Sequence, residues 1–380
     1  MEETNRNRCI CISCFDFYET RMEDVISFFQ NKGYEVRYVI SDYQHYKKAY
    51  FKAEYKNCIQ VHVPSYKNNL SLSRLTSHFI FSKKVYNILC KEKPDLVYSQ
   101  FPPNYLTKVL YKYKSKYDAK IVLDCYDMWP ESFPKKKLVF GLNLFFKYWA
   151  SIRDKHIGCA DMVLVVSQAH LDVVKNKWKN QIIKILKPSV KAHPLTINDK
   201  TESCLSFCYL GNVNYITDVD LIIKTLSAIR RERKVILHII GKGDNLPILI
   251  NGLKEAGVET ICHGVVFDTE EKYSIYSSCS YGINMPKKEI NSTMSLKSVE
   301  YLSVGLPFIN SAGGDTASLV NEFNVGVNFD PQSISEGIMN LMKIDGKELQ
   351  TMHHNCIKLY DQKFKTQDLN VLFDKIISLK

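Results

Sequence analysis

The sequence predicts an α/β fold of two doubly wound parallel sheets, and three observations carry that prediction. Short apolar, β-branched runs alternate with amphipathic helical stretches along all 380 residues. That length exceeds the ~100–200 residues of one ordinary domain. One segment, residues 187–203 (KPSVKAHPLTINDKTES), breaks the rhythm with two prolines and little apolar content, as a linker does.

The elements follow in order. Short apolar runs mark first-half strands at 9–14, 35–40, 58–62, 95–99, 119–124 and 161–166. Longer stretches of helical period lie between them, at 20–32, 74–92, 104–116, 138–156 and 168–178. After the linker, strands fall at 205–210, 235–240, 260–263, 280–284, 306–310 and 325–328. Helices fall at 218–231, 246–256, 270–278, 295–304, 315–321, 332–343 and 347–361, with a last one near 366–379. The expected domains are thus 1–186 and 204–363, joined by 187–203. Ligands of such sheets bind beyond the carboxyl ends of the strands, so chemistry is sought in the loops there.

Composition narrows the class. Hydrophobic residues make up 45% and charged residues 24%, which excludes long disorder and fibrous repeats. No apolar run reaches the ~18–20 residues of a membrane span, and the N-terminus does not read as a secretory signal. Twelve scattered cysteines then imply a reduced, cytoplasmic setting. Cys11 and Cys14 spell CxxC, but no second pair at zinc spacing accompanies them, and no metal role is expected. Residues 1–190 hold 31 Lys+Arg against 18 Asp+Glu, a net +13, while the second half is near neutral. Nucleic acid, an anionic membrane and phosphorylated substrates all suit such a half.

The richest stretch runs from Ser295 to Ile309 (SLKSVEYLSVGLPFI). A helix opens after the polar cap candidates Ser292, Thr293 and Ser295 and stops at Gly305. Its N-terminus, with Lys297 in the first turn, suits a diphosphate. Glu300 shares the face of Lys297 and can accept the two hydroxyls of a ribose. The plainer account is a surface Lys–Glu pair.

This stretch resembles the nucleotide-sugar signature of family 4 glycosyltransferases, roughly S-K-x-x-E-Y-x-x-x-G-x-P-x-I. Further segments match that family in order. Tyr209-Leu-Gly-Asn212 resembles its Y-x-G turn, Ile239-Ile-Gly-Lys-Gly243 its I-x-G-x-G, and His263-Gly264 its next strand end. Asp124-Cys-Tyr-Asp-Met-Trp-Pro-Glu-Ser132 resembles the D-x-x-D-L-W-P-E-S of a subgroup that builds bacterial surface polysaccharides. The resemblance covers nearly the whole chain and implies the GT-B fold, two Rossmann-like domains facing across a cleft. It also implies a last helix, 364–380, packing back on the first domain.

It implies roles too. Gly211, Asn212, Gly241, Ser295, Leu296, Lys297 and Glu300 would bind the donor. Asp127 and Glu131 would face the reacting centre, with Asp124, Arg21, Asp315 and Thr316 as further candidates. Arg21 would meet the donor phosphate; Asp315 would cap its helix and lie near the donor sugar. Asp218-Val219-Asp220 spells DxD, but Asp218 follows a glycine turn and reads as an N-cap rather than a metal ligand. The expectation is a reaction without cofactor or metal, with helix termini and cations stabilising the diphosphate. Two departures stand out. Ser292 occupies the place of the first acid of the family's E-x7-E, and Asn212 and Thr217 replace its basic pair.

In the stretch from Pro134 to Arg153, Leu138, Leu142, Phe145, Trp149 and Ile152 form one apolar helix face beside Lys135, Lys136, Lys137 and Lys147. It suits an anionic inner-membrane surface through residues 135–155, and equally a core helix. The resulting expectation is a peripherally bound, retaining glycosyltransferase. It would use a nucleoside-diphosphate sugar, a UDP-sugar first, and a polyprenyl-diphosphate-linked or oligosaccharide acceptor. A sugar-nucleotide epimerase, a degenerate homologue and a nucleic-acid-binding protein are the alternatives. No zinc finger, helix-turn-helix or RNP signature supports the last, and no nucleic acid is expected.

Overall fold

A computed structural model describes residues 7–15, 19–45, 47–68, 71–131, 140–191, 193–195, 204–288, 294–365 and 369–378. The chain divides into two compact units, Met1–Lys187 with Asp368–Lys380, and Pro188–Gln367.

The first unit runs β1 (Arg8–Ser13), α1 (Glu19–Asn31), β2 (Glu35–Ser41), β3 (Tyr43–Gln44), β4 (Ala49–Tyr50), β5 (Cys58–Val61), α2 (Leu72–Glu92), β6 (Leu96–Phe101), α3 (Tyr105–Lys114), β7 (Lys120–Cys125), α4 (Phe140–His156), β8 (Met162–Val165), α5 (Gln168–Val174) and β9 (Ile183–Ile185). Its sheet has seven parallel strands in the order β5-β2-β1-β6-β7-β8-β9. Central β6 (LVYSQF) is buried along its whole length, as a strand covered on both faces must be. The hairpin β3–β4 and the edge strand β9 are absent from the sequence reading.

The second unit runs β10 (Cys204–Leu210), α6 (Val219–Arg230), β11 (Lys234–Ile240), α7 (Leu246–Glu255), β12 (Glu259–Gly264), α8 (Thr269–Ser277), β13 (Tyr281–Asn284), α9 (Leu296–Val304), β14 (Phe308–Asn310), α10 (Gly314–Phe323), β15 (Gly326–Asn328), α11 (Ile334–Lys343) and α12 (Gly346–Tyr360). Its six parallel strands take the order β12-β11-β10-β13-β14-β15. Several helices start on side-chain caps: Asp218 accepts from Leu221 N, Ser295 from Ser298 N, Asp345 from Glu348 N. Gly305, at φ 80°, ends α9.

The expected linker is only partly a connector. Leu195 N bonds Val304 O at 2.9 Å, and Val190 and Leu195 pack against the core of the second unit. Residues 192 and 196–203 lie outside the described residues. At the other end the chain returns to the first unit as α13 (Leu369–Ser378). Phe373 and Ile376 are fully buried there, Phe373 against Phe28, Phe29 and Tyr98.

Candidate active site

In the second unit the strand ends build a polar shelf. After β10 and β11 the chain makes two turns that touch backbone to backbone. Gly211 N bonds Ile240 O at 2.8 Å, and Val213 N bonds Lys242 O at 2.8 Å. Gly241 has φ 153°, and a Cβ there would meet Gly211 O at 2.0 Å. No other residue fits this contact. Asn212 is exposed on the turn, the position the family resemblance gives to a donor contact.

Helix α9 aims its N-terminus at this region. Ser295 Oγ caps it and also lies 3.0 Å from Asn284 Oδ1. Asn284 is tied to Asn310 at 2.8 Å, and both amides are buried, which fixes the ends of β13 and β14. Leu296 is exposed. Lys297 Nζ lies over the Tyr209 ring, 4.3 Å from its centroid, and donates to Tyr209 Oη at 3.1 Å. The buried Thr217 hydroxyl pairs with the same phenol at 2.7 Å. Thr217 thus takes a structural bond at a place where the family carries a cation.

Glu300 sits one turn further along α9, half-buried. Tyr276 Oη donates to its Oε1 at 2.9 Å, and Lys272 Nζ lies 2.6 Å from the same oxygen. Burial, then the Glu300 charge, pushes the Tyr276 phenol far above its ordinary range, so it stays a donor. Asp315 lies in the first turn of α10, two residues after Gly313 at the N-cap position, which has no side-chain cap bond. Thr316 is buried beside Met294, 3.9 Å from its sulfur. Asp218 caps α6 as the sequence suggests.

In the first unit the end of β7 holds the other candidates, and two expectations need correction. The family resemblance points Arg21 at a donor phosphate. Its guanidinium is instead buried, with Nη2 2.6 Å from Asp124 Oδ1 and Nη1 2.7 Å from Leu186 O. Asp124 is fully buried and also accepts from Tyr98 Oη at 2.5 Å. A buried cation keeps its partner because the alternative is an uncompensated charge. Glu131, read as facing the reacting centre, is gripped by Arg153 through Nη2 at 2.6 Å and Nη1 at 2.9 Å, and by Lys177 at 2.9 Å. Burial alone would raise its carboxyl, but these bonds outweigh burial and hold it at about 2. Glu131 therefore fastens its loop to α4.

Asp127 is half-buried, and its Oδ2 accepts from Trp129 Nε1 at 2.6 Å. Trp129 lies in a cluster that the sequence reading missed. Arg74 covers its ring at 4.3 Å, His78 stacks on it at 5.8 Å and 19°, and Phe15 meets it edge-on at 5.9 Å. The only sequence signal was that Arg74 and His78 stand four apart at the start of an apolar helix, hence on one face.

The apolar stripe expected on α4 divides. Trp149 is half-buried against Trp129 at 6.0 Å, and Arg153 is fully buried. The exposed side chains are Leu144, Phe145, Lys147, Tyr148 and Lys155. Leu138 and Lys135 to Lys137 lie outside the described residues. Among the described residues no helix is long and apolar enough to cross a membrane.

Residues 18–188 match the family described as Glycosyltransferase Family 4, and residues 205–343 that described as Glycosyl transferases group 1. No curated protein sequence matches the chain significantly. Among solved structures, sucrose-phosphate synthase (tll1590) from Thermosynechococcus elongatus aligns with TM-score 0.69 and 13% identity over 99% of this chain and 100% of its own. WaaG, a glycosyltransferase involved in lipopolysaccharide biosynthesis, aligns with TM-score 0.65 and 14% identity over 98% of this chain and 100% of its own. Anabaena Alr3699/HepE in complex with UDP-glucose aligns with TM-score 0.68 and 14% identity over 98% of this chain and 99% of its own. Likeness at such identities speaks for the fold. Two glycosyltransferase family models thus match the two halves in order, and each half folds as a parallel-sheet unit of the GT-B fold.

Proposed function

We propose that the chain is a retaining glycosyltransferase. It moves a sugar from a nucleoside-diphosphate sugar, a UDP-sugar first, to a lipid-linked or oligosaccharide acceptor of a surface polysaccharide. The observation that carries the donor reading is Glu300. Its Oε1 holds both the Tyr276 and Lys272 bonds, which turns Oε2 into a positioned acceptor for ribose hydroxyls. The α9 N-terminus and Lys297 supply positive potential for the diphosphate without a metal. The relative HepE has been seen with UDP and with UDP-glucose, which favours uridine in this shelf. Retention follows the family alone.

Asp127 is the group proposed to face the acceptor hydroxyl; Glu131 and Asp124 are not, because both are consumed in ion pairs. A lipid-linked acceptor asks for a membrane-facing surface, and the exposed Leu144, Lys147, Tyr148 and Lys155 of α4 supply apolar and basic groups together. The reading therefore places the protein on the cytoplasmic face of the plasma membrane.

The test is calorimetric binding of UDP, GDP, dTDP and CMP, without metal, to wild type and Glu300→Ala. Preference for one nucleotide, lost in the variant, supports the donor assignment. No binding to any of the four rejects it.

A further inference from the structure

We propose that Trp129 is a positioning residue for Asp127, and that Arg74 and His78 of α2 clamp the indole for that purpose. The inference rests on the reading of Asp127 as the acceptor-facing group.

Four observations carry it. The bond from Trp129 Nε1 to Asp127 Oδ2 is 2.6 Å, short for an N–H donor, as charge-assisted bonds are. Trp129 is 6% exposed, so the indole cannot swing to another partner. Its backbone is equally fixed, since Trp129 O accepts from Asn104 Nδ2 at 2.9 Å and from Arg153 Nη1 at 2.7 Å. Arg74 holds its guanidinium carbon 4.3 Å from the ring centroid, and His78 lies nearly parallel to the ring.

The surroundings are costly for a Trp that only packs. Arg74 and His78 are 5% and 4% exposed, yet both are polar. Among the described residues neither His78 ring nitrogen has a hydrogen-bond partner. Burial, with Arg74 nearby, keeps that imidazole neutral, so it offers a flat face and nothing else. Leucine would fill the space at lower cost. A cation over the indole draws electron density from the ring and makes Nε1–H a stronger donor. The guanidinium therefore acts on the carboxylate through the indole. Trp129 touches no reacting atom in this account; it sets where the Asp127 oxygens point.

The chain has three tryptophans, so 15N-labelled indole spectra show three Nε1–H signals. The expected result is a signal far downfield that is absent in Trp129→Phe and moved upfield in both Asp127→Asn and Arg74→Met; the other carboxylate-bound indole, Trp178 with Nε1 3.0 Å from Asp154 Oδ1, stays in place. Turnover is read as release of UDP from UDP-glucose or UDP-N-acetylglucosamine. Trp129→Phe is expected to lower kcat about tenfold to a hundredfold with the donor KM within about twofold. Arg74→Met is expected to lower kcat less, in the same pattern. If the signal that Trp129→Phe removes is unmoved by Asp127→Asn, the contact is overturned. Asp127→Asn inactive beside Trp129→Phe at wild-type kcat overturns the positioning role. Asp127→Asn at wild-type kcat, or a wild type that turns over neither donor, overturns the reading on which the inference rests.

Discussion

Lys272 Nζ lies 2.6 Å from Glu300 Oε1, the oxygen that Tyr276 also engages, so the carboxylate is held by one end. A carboxylate fixed in this way loses little further entropy on binding a diol. Glu300→Ala is expected to weaken nucleotide binding by about 1.5–3 kcal/mol, the range for hydrogen bonds to a charged group. Lys272→Met and Tyr276→Phe leave the acceptor in place but unanchored, and each is expected to cost about 1 kcal/mol. Calorimetry on the three variants checks the order. Equal losses, or none in Glu300→Ala, contradict the assignment.

The backbone contact between the two glycine turns gives a second expectation. A Cβ at Gly241 would sit 2.0 Å from Gly211 O and demand a φ of 153° from an L-residue. Neither turn can yield alone, because Gly211 N and Val213 N are both bonded to the other turn. Gly241→Ala is expected to lower thermal stability by about 2 kcal/mol or more and to abolish nucleotide binding. Gly33→Ala provides the comparison: it too has positive φ, 86°, but open space around it. Its smaller loss of stability, with nucleotide binding intact, separates strain from collision.

Arg153 is fully buried and serves Glu131, Asp154 and Trp129 O at once. Removing the cation leaves Glu131 and Asp154 to share Lys177 alone, so Arg153→Met is expected to cost about 3 kcal/mol. Glu131→Gln keeps a hydrogen-bonding group and is expected to cost less. The pH dependence has a definite sign. The Glu131 carboxyl titrates at about 2 when folded, against an ordinary 4.5. Its stabilisation is complete above pH 4.5 and is lost as pH falls toward 2. Denaturant melts from pH 6 to 3 check this: Glu131→Gln flattens the acid loss.

Much of the fold was legible because its signals are local. The apolar runs and the caps Asp218, Ser295 and Gly305 each depend on neighbours in sequence. The hairpin β3–β4 was missed because two-residue strands leave no periodicity, and β9 because three residues are too few to separate from a loop. At the candidate site the glycine turns and the α9 start were readable from motifs. Arg21 and Glu131 were not, because their partners Asp124 and Arg153 lie 103 and 22 residues away. A charged residue in a motif looks the same whether it awaits a ligand or is already paired. The same limit hid Arg74 and His78, whose meaning lies in Trp129, a residue on another element.

The split of the α4 stripe leads to a vesicle experiment. Trp149 faces inward, whereas Leu144 and Tyr148 are 55% and 66% exposed, next to exposed Lys147 and Lys155. Leu144→Ser with Tyr148→Ser removes the apolar contribution, and Lys147→Glu with Lys155→Glu reverses the charge, at about 1 kcal/mol per lysine near an anionic surface. Both pairs are expected to release the protein from vesicles containing phosphatidylglycerol while nucleotide affinity stays unchanged. Sedimentation with such vesicles, against neutral ones, checks it. Retention of both variants sends the membrane contact elsewhere or removes it.

The cluster around Trp129 adds a pH dependence of its own. Burial, then Arg74 and Lys48, lowers the His45 imidazole from 6.5 to about 3, and burial with Arg74 lowers that of His78 well below 6.5. Both are therefore neutral when folded, but each takes up a proton near pH 6.5 once the chain unfolds. The unfolded state binds the extra protons, so stability falls as pH drops below 6.5 and is untouched above it. Each histidine contributes about 1.4 kcal/mol per pH unit in that window. The loss from His45 ends only near pH 3, where the folded ring is protonated too. His78→Phe keeps a flat face against Trp129 and removes one titrating group together with its bare ring nitrogens. It is expected to be more stable than wild type, by about 1–2 kcal/mol at pH 7. Its stability is also expected to fall about half as steeply between pH 6 and 5. Parallel urea melts at pH 7, 6 and 5 decide it, and an unchanged slope in His78→Phe would show that this imidazole is already protonated in the folded protein.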